Sequence, residues 1–465
     1  MTVPDVARIE AFLTELASEL ADDMIITDPD IAAGYAHDQS RFTPHHIPAA
    51  VLAPRSTDDV ATCLALAHRH NVVVVARGAG SGLSGAANAS PDSVILSLHR
   101  MNRIIRIDPG NRLAVVQPGV LTAALRAEVA NAGLLYPPDP GSVEFCTIGG
   151  NIATNAGGMC CVKYGVTGDF VLALEVVLAD GRILRTGHQT VKGVAGYDLT
   201  RLFVGSEGTL GVVTEATLRV VPAPRPPHTL VASFPDLASA GAAVTAIVHA
   251  GLTPSMLEIL DRTTVRAVDD YAKMSLGADV EALLLGQSDD PDAAAVLARI
   301  NELCTDAGAL DVAITDDPVE GAMLLEARRL ALPALERLGD WLLDDVGVPR
   351  TKIADLIASI EEIANHHGLT VGVFGHAGDG NLHPTIIFDD ADPTSRRAAR
   401  RAFDDITRRA LELGGTVTGE HGIGHLKKHW LTAEQGPIGI AVHHAVKYAL
   451  DPRGILNPHA VLETS

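Results

Sequence analysis

The chain has 465 residues, of which 47% are apolar and 20% charged, and its formal net charge is -21. That length predicts two or three domains with room for buried cores, and that balance belongs to a globular rather than a disordered protein. The acidic excess argues against nucleic acid and against an anionic membrane surface as partners, because both attract a surplus of Lys and Arg.

No apolar run approaches the ~18 residues of a membrane-spanning helix, and Met-Thr-Val-Pro-Asp-Val-Ala at the start lacks the basic and apolar regions of a signal peptide. A cytoplasmic protein with no integral membrane segment is expected. The cysteines are Cys63, Cys146, Cys160, Cys161 and Cys304. Their number is odd and two are adjacent, so no disulfide framework is implied. Without a Cys-x-x-Cys there is no cysteine-held iron–sulfur cluster, and reduced thiols are expected.

In chain order, residues 4–21 read as an amphipathic helix. Ser56 or Thr57 can cap a second helix that places Val60, Leu64 and Ala67 at helical spacing through His70. Asn71 to Ala76 reads as a buried strand that runs into Arg77-Gly-Ala-Gly-Ser-Gly-Leu-Ser-Gly85. A Rossmann fingerprint must open a helix. Here Pro91 leaves barely a turn before the strand Val94 to Leu98, so a Rossmann fold is rejected. A run of backbone N–H groups in such a loop can still bind an anion without a helix.

Arg112 to Val116 reads as a strand, followed by a helix through about Gly133. Thr147-Ile-Gly-Gly-Asn-Ile-Ala-Thr-Asn-Ala-Gly-Gly158 interleaves hydroxyls and amides with glycines, which suits either a long polar ligand or a tightly packed turn region. Val171 to Leu178 followed by Ala-Asp-Gly181 reads as a hairpin arm. Gly205-Ser-Glu-Gly-Thr-Leu-Gly211 precedes a strand from Val212 to Val221, and Pro222-Ala-Pro-Arg-Pro-Pro227 marks a domain boundary.

Further on, Gly375-His-Ala-Gly-Asp-Gly-Asn-Leu-His383 sets two imidazoles at the ends of a glycine-rich loop, and Gly419-Glu-His-Gly-Ile-Gly424 adds a carboxylate and a third imidazole. Nitrogen and carboxylate oxygen suit a borderline divalent cation such as Zn²⁺ or Mn²⁺, and three ligands would leave a position open for substrate. His376, His383 and Glu420 are the candidate ligands and His421 the candidate base. Spacing alone leaves polar surface turns as the other reading, and His45-His46, His366-His367 and His443-His444 are read in that way.

Taken together, Arg77-Gly-Ala-Gly-Ser-Gly, Cys146-Thr-Ile-Gly-Gly-Asn, Asn155-Ala-Gly-Gly, Gly205-Ser-Glu-Gly-Thr-Leu-Gly, Gly375-His-Ala-Gly-Asp-Gly-Asn-Leu-His-Pro384, Gly419-Glu-His-Gly-Ile-Gly and Asp451-Pro-Arg-Gly-Ile-Leu-Asn-Pro458 stand in one order. In that order they resemble the FAD-dependent D-2-hydroxyacid dehydrogenases of the vanillyl-alcohol-oxidase superfamily, over nearly the whole chain. The resemblance implies an α+β protein. A two-subdomain PCMH-type FAD-binding domain would occupy residues 1–225. An antiparallel-sheet cap domain that holds substrate would occupy 226–415, and 416–465 would return to the flavin. It implies FAD contacts from Arg77, Gly78, Ala79, Gly80, Ser81, Gly82, Leu83 and Ser84 around the pyrophosphate. Pro140, Thr147, Gly149, Gly150, Thr154, Asn155, Gly158, Gly165, Glu207, Gly208, Val213 and Asn457 would line the remainder.

The reaction so implied takes two electrons from a D-2-hydroxy acid and gives the 2-oxo acid. An alcohol proton is too weakly acidic to leave unaided; a divalent metal lowers the pKa of bound water by roughly 8 units, about 12 kcal/mol, which bounds the help on offer. His376, His383 and Glu420 would hold the metal, and His421 would take the proton. Glu420 and His421 would diverge if the backbone there is extended. Arg328 aligns with the family's carboxylate-binding arginine, a role its planar fork fits, and Arg350 is a second candidate for the pocket. The hydroxyglutarate members carry a lysine, a threonine and an asparagine where this chain has Leu343, Leu332 and Thr385. A small monocarboxylate such as D-lactate or glycolate, or a longer apolar 2-hydroxy acid, therefore fits better than a diacid. No haem, iron–sulfur or nicotinamide motif is present, so electrons would pass to a quinone, a cytochrome, a flavoprotein carrier or another subunit.

Overall fold

The computed structural model describes residues 6–277 and 279–463. The chain is α+β and clusters into two units. The first holds the described residues through Gly157, then Val166–Ala223, then everything from Glu420 on; the second holds Gly158–Gly165 and Pro224–Gly419.

The first unit has two main sheets. One runs in the order Ile25–Ile26, Ala50–Leu52, Ser93–Ser97, Val73–Arg77, with its last three strands parallel. Its inner strand Ser93–Ser97 is buried throughout, as parallel strands covered on both faces are. The helix Thr57–His70 begins at Ser56 in a full capping box with Asp59 and buries Val60, Cys63, Leu64 and Ala67 against this sheet. Leu456 of the tail enters the same core and bridges to Val74 in parallel. The second sheet is antiparallel, in the order Ile104–Asp108, Leu113–Val116, Val212–Arg219, Val171–Val177, Ile183–Gly187.

The second unit is built on one eight-stranded antiparallel sheet. At its site-bearing end Met256–Asp261, Thr370–His376, Asn381–Phe388 and Asp340–Leu343 lie side by side. Pairing puts Phe374 opposite His383 and His376 opposite Asn381. Side chains alternate along a strand, so Gly372, Phe374, His376, Asn381, His383 and Thr385 share one face. Leu335 and Thr264 close down over Gly372 on that face, where a Cβ would have no room. No described helix is long and apolar enough to cross a membrane.

Candidate active site

In the first unit the strand Val73–Arg77 ends in the glycine loop, and no helix follows it. None of the backbone N–H groups from Gly78 to Ser84 donates to a protein group among the described residues. A partly buried run of donors without protein partners suits an anion, because main-chain polar groups out of water need partners. The side chains brace the loop from behind. Arg77 is buried and donates to the carbonyls of Ala87 and His37 at 3.2 and 3.0 Å. Asp38 accepts from the N–H of Gly85 at 3.0 Å and of Ser40 at 2.9 Å. Gly80 and Gly85 have φ of 72° and 85°, and only glycine takes such angles without strain.

The stretch 147–158 is not the turn region its glycines suggest. Ile148–Thr154 is a helix, with Thr147 as N-cap accepting from the Gly150 N–H at 3.3 Å. Glycines weaken a helix, but a Cβ at Gly149 would press on Pro118, and one on the neighbouring loop at Gly78 would collide with Thr147 Oγ1. Close packing, not a turn, accounts for Gly149 and Gly150. Thr154 returns its hydroxyl to the Gly150 carbonyl at 3.3 Å, and Asn155 ends the helix at φ 52° with its Oδ1 on the Gly168 N–H. Pro140 is buried, Gly208 has φ 70°, and Val213 lies in the strand Val212–Arg219. Gly158 and Gly165 bound the short segment that clusters with the second unit.

Glu207, Ser84 and Asn457 hold other parts of the first unit. Both oxygens of the buried Glu207 carboxylate accept backbone N–H groups, of Ile423 and Gly424, each at 2.8 Å. Burial pushes its carboxyl up to about 7, against those two bonds, which favour the anion. Ser84 donates to the carbonyls of His421 and Gly422 at 3.1 and 2.8 Å. Asn457 donates to the carbonyls of Ala86 and Glu207 at 2.7 and 3.1 Å. The residues around His421 are thus pinned to the glycine loop. The backbone at Glu420 and His421 is bent rather than extended, so the expected divergence does not occur: Nε2 of His421 lies 3.9 Å from Oε1 of Glu420.

In the second unit His376 and His383 meet. Both are buried, and their Nε2 atoms stand 3.2 Å apart. Nδ1 of His376 is 2.7 Å from Oε1 of Glu258, and Nδ1 of His383 is 3.6 Å from Oδ1 of Asp345. The Glu258 carboxylate opposite Nδ1 of His376 selects the Nδ1–H tautomer there and turns the Nε2 lone pair toward His383. Two imidazole nitrogens at this distance either share one proton or face a cation held between them. Two nitrogens at 2.0–2.1 Å from a tetrahedral Zn²⁺ would be about 3.4 Å apart, so the observed spacing fits. Asp345 also accepts from Asn381 Nδ2 at 2.6 Å, the Thr418 hydroxyl at 2.6 Å and the Gly419 N–H at 2.8 Å. It therefore fixes the residue directly before Glu420.

Arg328 is part of the same face. Its Nε donates to Oε2 of Glu258 at 2.5 Å, and its guanidinium lies 4.8 Å above the Phe374 ring. Its two terminal nitrogens make no protein hydrogen bond among the described residues, which leaves the fork available to an anion. Arg350 is exposed, at the start of the turn Arg350–Lys352. Leu343 pairs with Thr385 on the next strand, and both are buried. Glu258, fully buried, was not anticipated from the sequence. Its signal was present: one acid inside the otherwise apolar strand run Met256-Leu-Glu-Ile-Leu260.

Residues 48–187 match an FAD-binding domain family, and residues 223–461 match the C-terminal domain of FAD-linked oxidases. The chain is 44% identical over 415 residues to the glycolate oxidase subunit GlcD of Bacillus subtilis, covering 89% of this chain and 88% of that one. It is 35% identical over 463 residues to a D-lactate dehydrogenase of Anaerostipes hadrus, covering 97% of each. Among solved structures, p-cresol methylhydroxylase superposes with a TM-score of 0.81 at 17% identity, over 98% of this chain and 97% of that one. The 4-ethylphenol oxidase of Gulosibacter chungangensis gives 0.79 at 20% identity over 99% of each. At such identities the structural matches establish the fold.

Proposed function

This chain belongs to the FAD-linked oxidases, and we propose that it oxidises a small D-2-hydroxy acid to the 2-oxo acid with the help of a divalent cation. The observation that carries this reading is the buried imidazole pair, with Nε2 atoms 3.2 Å apart and a carboxylate behind each ring. Bound FAD supplies a two-electron acceptor, and a bound Zn²⁺ or Mn²⁺ supplies the Lewis acidity that makes a hydroxyl proton removable near neutral pH.

His376 and His383 hold the cation, and Glu420, next in the chain after the anchored Gly419, completes the ligand set. The free fork of Arg328 takes the substrate carboxylate in a bidentate pair. His421 accepts the hydroxyl proton as the α-hydrogen leaves as hydride, so the substrate gives up one proton and one hydride. The main chain from Gly78 to Ser84 cradles the FAD pyrophosphate. The buried pair Leu343 and Thr385 favours an uncharged substrate tail, as in lactate or glycolate, over a second carboxylate. Electrons then pass to a quinone, a cytochrome or a flavoprotein carrier.

The kinship with glycolate oxidase subunits also supports a second reading, in which the chain is the FAD-binding subunit of a glycolate-oxidase-like complex. A panel of 2-hydroxy acids with an artificial dye as acceptor tests both. Turnover by the isolated chain that is lost on chelation while FAD stays bound is the expected result. A yellow protein inert with every member of the panel would favour the subunit reading. Turnover indifferent to complete metal removal would overturn the cation's role.

A further inference from the structure

Glu258 has two partners, and each belongs to a different part of the proposed chemistry. Oε1 faces Nδ1 of His376 at 2.7 Å; Oε2 accepts Nε of Arg328 at 2.5 Å. The carboxylate is fully buried, in the strand Met256–Asp261. A buried anion with one oxygen on each neighbour fixes the direction of both, because turning toward one would abandon the other in a medium where unpaired charge is costly.

We infer that Glu258 is a shared positioning residue, one side chain that sets the metal-binding tautomer of His376 and aims the fork of Arg328 at the substrate carboxylate. This rests on the function proposed above and deepens it. With Nδ1–H held by Oε1, only Nε2 of His376 can face a cation. With Nε held by Oε2 and the guanidinium laid on Phe374, only the two terminal nitrogens can meet an anion. The carboxylate and the cation sites are thereby held in fixed register by one residue that touches neither substrate nor metal.

The substitution Glu258→Gln separates this role from simple support. An amide keeps the shape but has one acceptor and one donor end. If its oxygen meets His376, its NH₂ opposes the Arg328 N–H. If it meets Arg328, its NH₂ forces the other tautomer on His376 and blocks Nε2. The measurement is Zn²⁺ affinity of the FAD-loaded, metal-stripped protein against a chelating indicator, with pyruvate binding followed by the flavin spectrum. The expected result is a Zn²⁺ affinity about ten- to a hundredfold weaker, or pyruvate binding weakened with Zn²⁺ retained, at unchanged FAD content. Zn²⁺ and pyruvate affinities both within twofold of the parent would overturn the inference. Should the Gln variant fail to accumulate, Glu258→Asp, too short to reach both partners, is read by the same criterion. If the parent protein binds no Zn²⁺ while pyruvate binding is unchanged by Glu258→Gln, both the proposed cation site and this inference fall. If the parent binds Zn²⁺ and the variant matches it in both Zn²⁺ and pyruvate affinity, only the inference falls.

Discussion

The glycine loop of the first unit and the donor cluster of the second offer a ligand different atoms. From Gly78 to Ser84 the offered groups are backbone N–H, and the side chains behind them, Arg77 and Asp38, point into protein. In the second unit the offered groups are side chains, His376, His383 and Arg328, and the Glu258 carboxylate sets the direction of His376 and Arg328. A main-chain cradle is sensitive to added volume and indifferent to most side-chain chemistry. A side-chain cluster is the reverse: it tolerates small changes of volume and fails on a change of charge or hydrogen-bonding pattern.

The largest contrast is expected from His421→Asn. Loss of a general base lowers turnover by about 10²–10⁴-fold, while the loop from Gly78 to Ser84 is untouched and FAD content stays at parent level. Near-normal rates in stopped-flow flavin reduction would remove His421 as the base. A smaller effect, in stability, comes from Glu207. Its carboxyl is pushed up to about 7 by burial. Between the ordinary carboxylate range and that value the native state keeps a proton that the unfolded chain gives up. Stability therefore falls as pH rises through this window and is level above it. The drop amounts to as much as about 3 kcal/mol. Urea unfolding at pH 5 and pH 8 measures it, and Glu207→Gln is expected to remove that part of the slope. An unchanged slope would place the titration elsewhere.

Gly78→Ala tests the volume side of the comparison. Its Cβ would collide with Thr147 Oγ1 and press on Gly150, and overpacking of this kind costs about 1–3 kcal/mol. FAD content should fall in the purified protein, whereas a polar change without added Cβ crowding, such as Ser81→Thr, should leave it near the parent value. Leu343→Lys tests the charge side. A lysine opposite Thr385, on the face that carries His383, is expected to raise the ratio of kcat/KM for a 2-hydroxy diacid over lactate by about tenfold or more. A ratio that does not move would put the distal end of the substrate elsewhere.

Much of this was legible in the sequence, for identifiable reasons. Glycine, proline and histidine report local geometry. So the loop at Arg77 to Gly85, the proline-rich stretch Pro222 to Pro227 and the two histidines of the 375–383 stretch stand out in the sequence itself. The helix Ile148–Thr154 could not, because its glycines answer to Pro118 and to the neighbouring loop, which sequence spacing does not bring together. Glu258 was missed for a related reason. It lies 118 residues from His376 and 70 from Arg328 along the chain, and only strand pairing joins them. The bend at Glu420 and His421 was likewise invisible, since it follows from two bonds to Glu207 and two from Ser84, far back in the chain.

Ser84 gives the smallest expected effect and the sharpest division between the two regions. The resemblance to the family counts it among the FAD contacts, yet its hydroxyl is engaged by the carbonyls of His421 and Gly422 at 3.1 and 2.8 Å. If its side chain serves the cradle, Ser84→Ala weakens FAD binding. If the cradle is main chain only, the alanine keeps its N–H in place and FAD content is unchanged, while the turn that carries His421 loses a donor. The second outcome is expected, with a stability loss of about 0.5–1.5 kcal/mol for the missing hydrogen bond. It should also bring a few-fold fall in kcat at constant KM, since a base held less firmly acts on a substrate bound as before. A fall in FAD occupancy with kcat per flavin intact would instead return Ser84 to the cofactor and make the cradle partly a side-chain site.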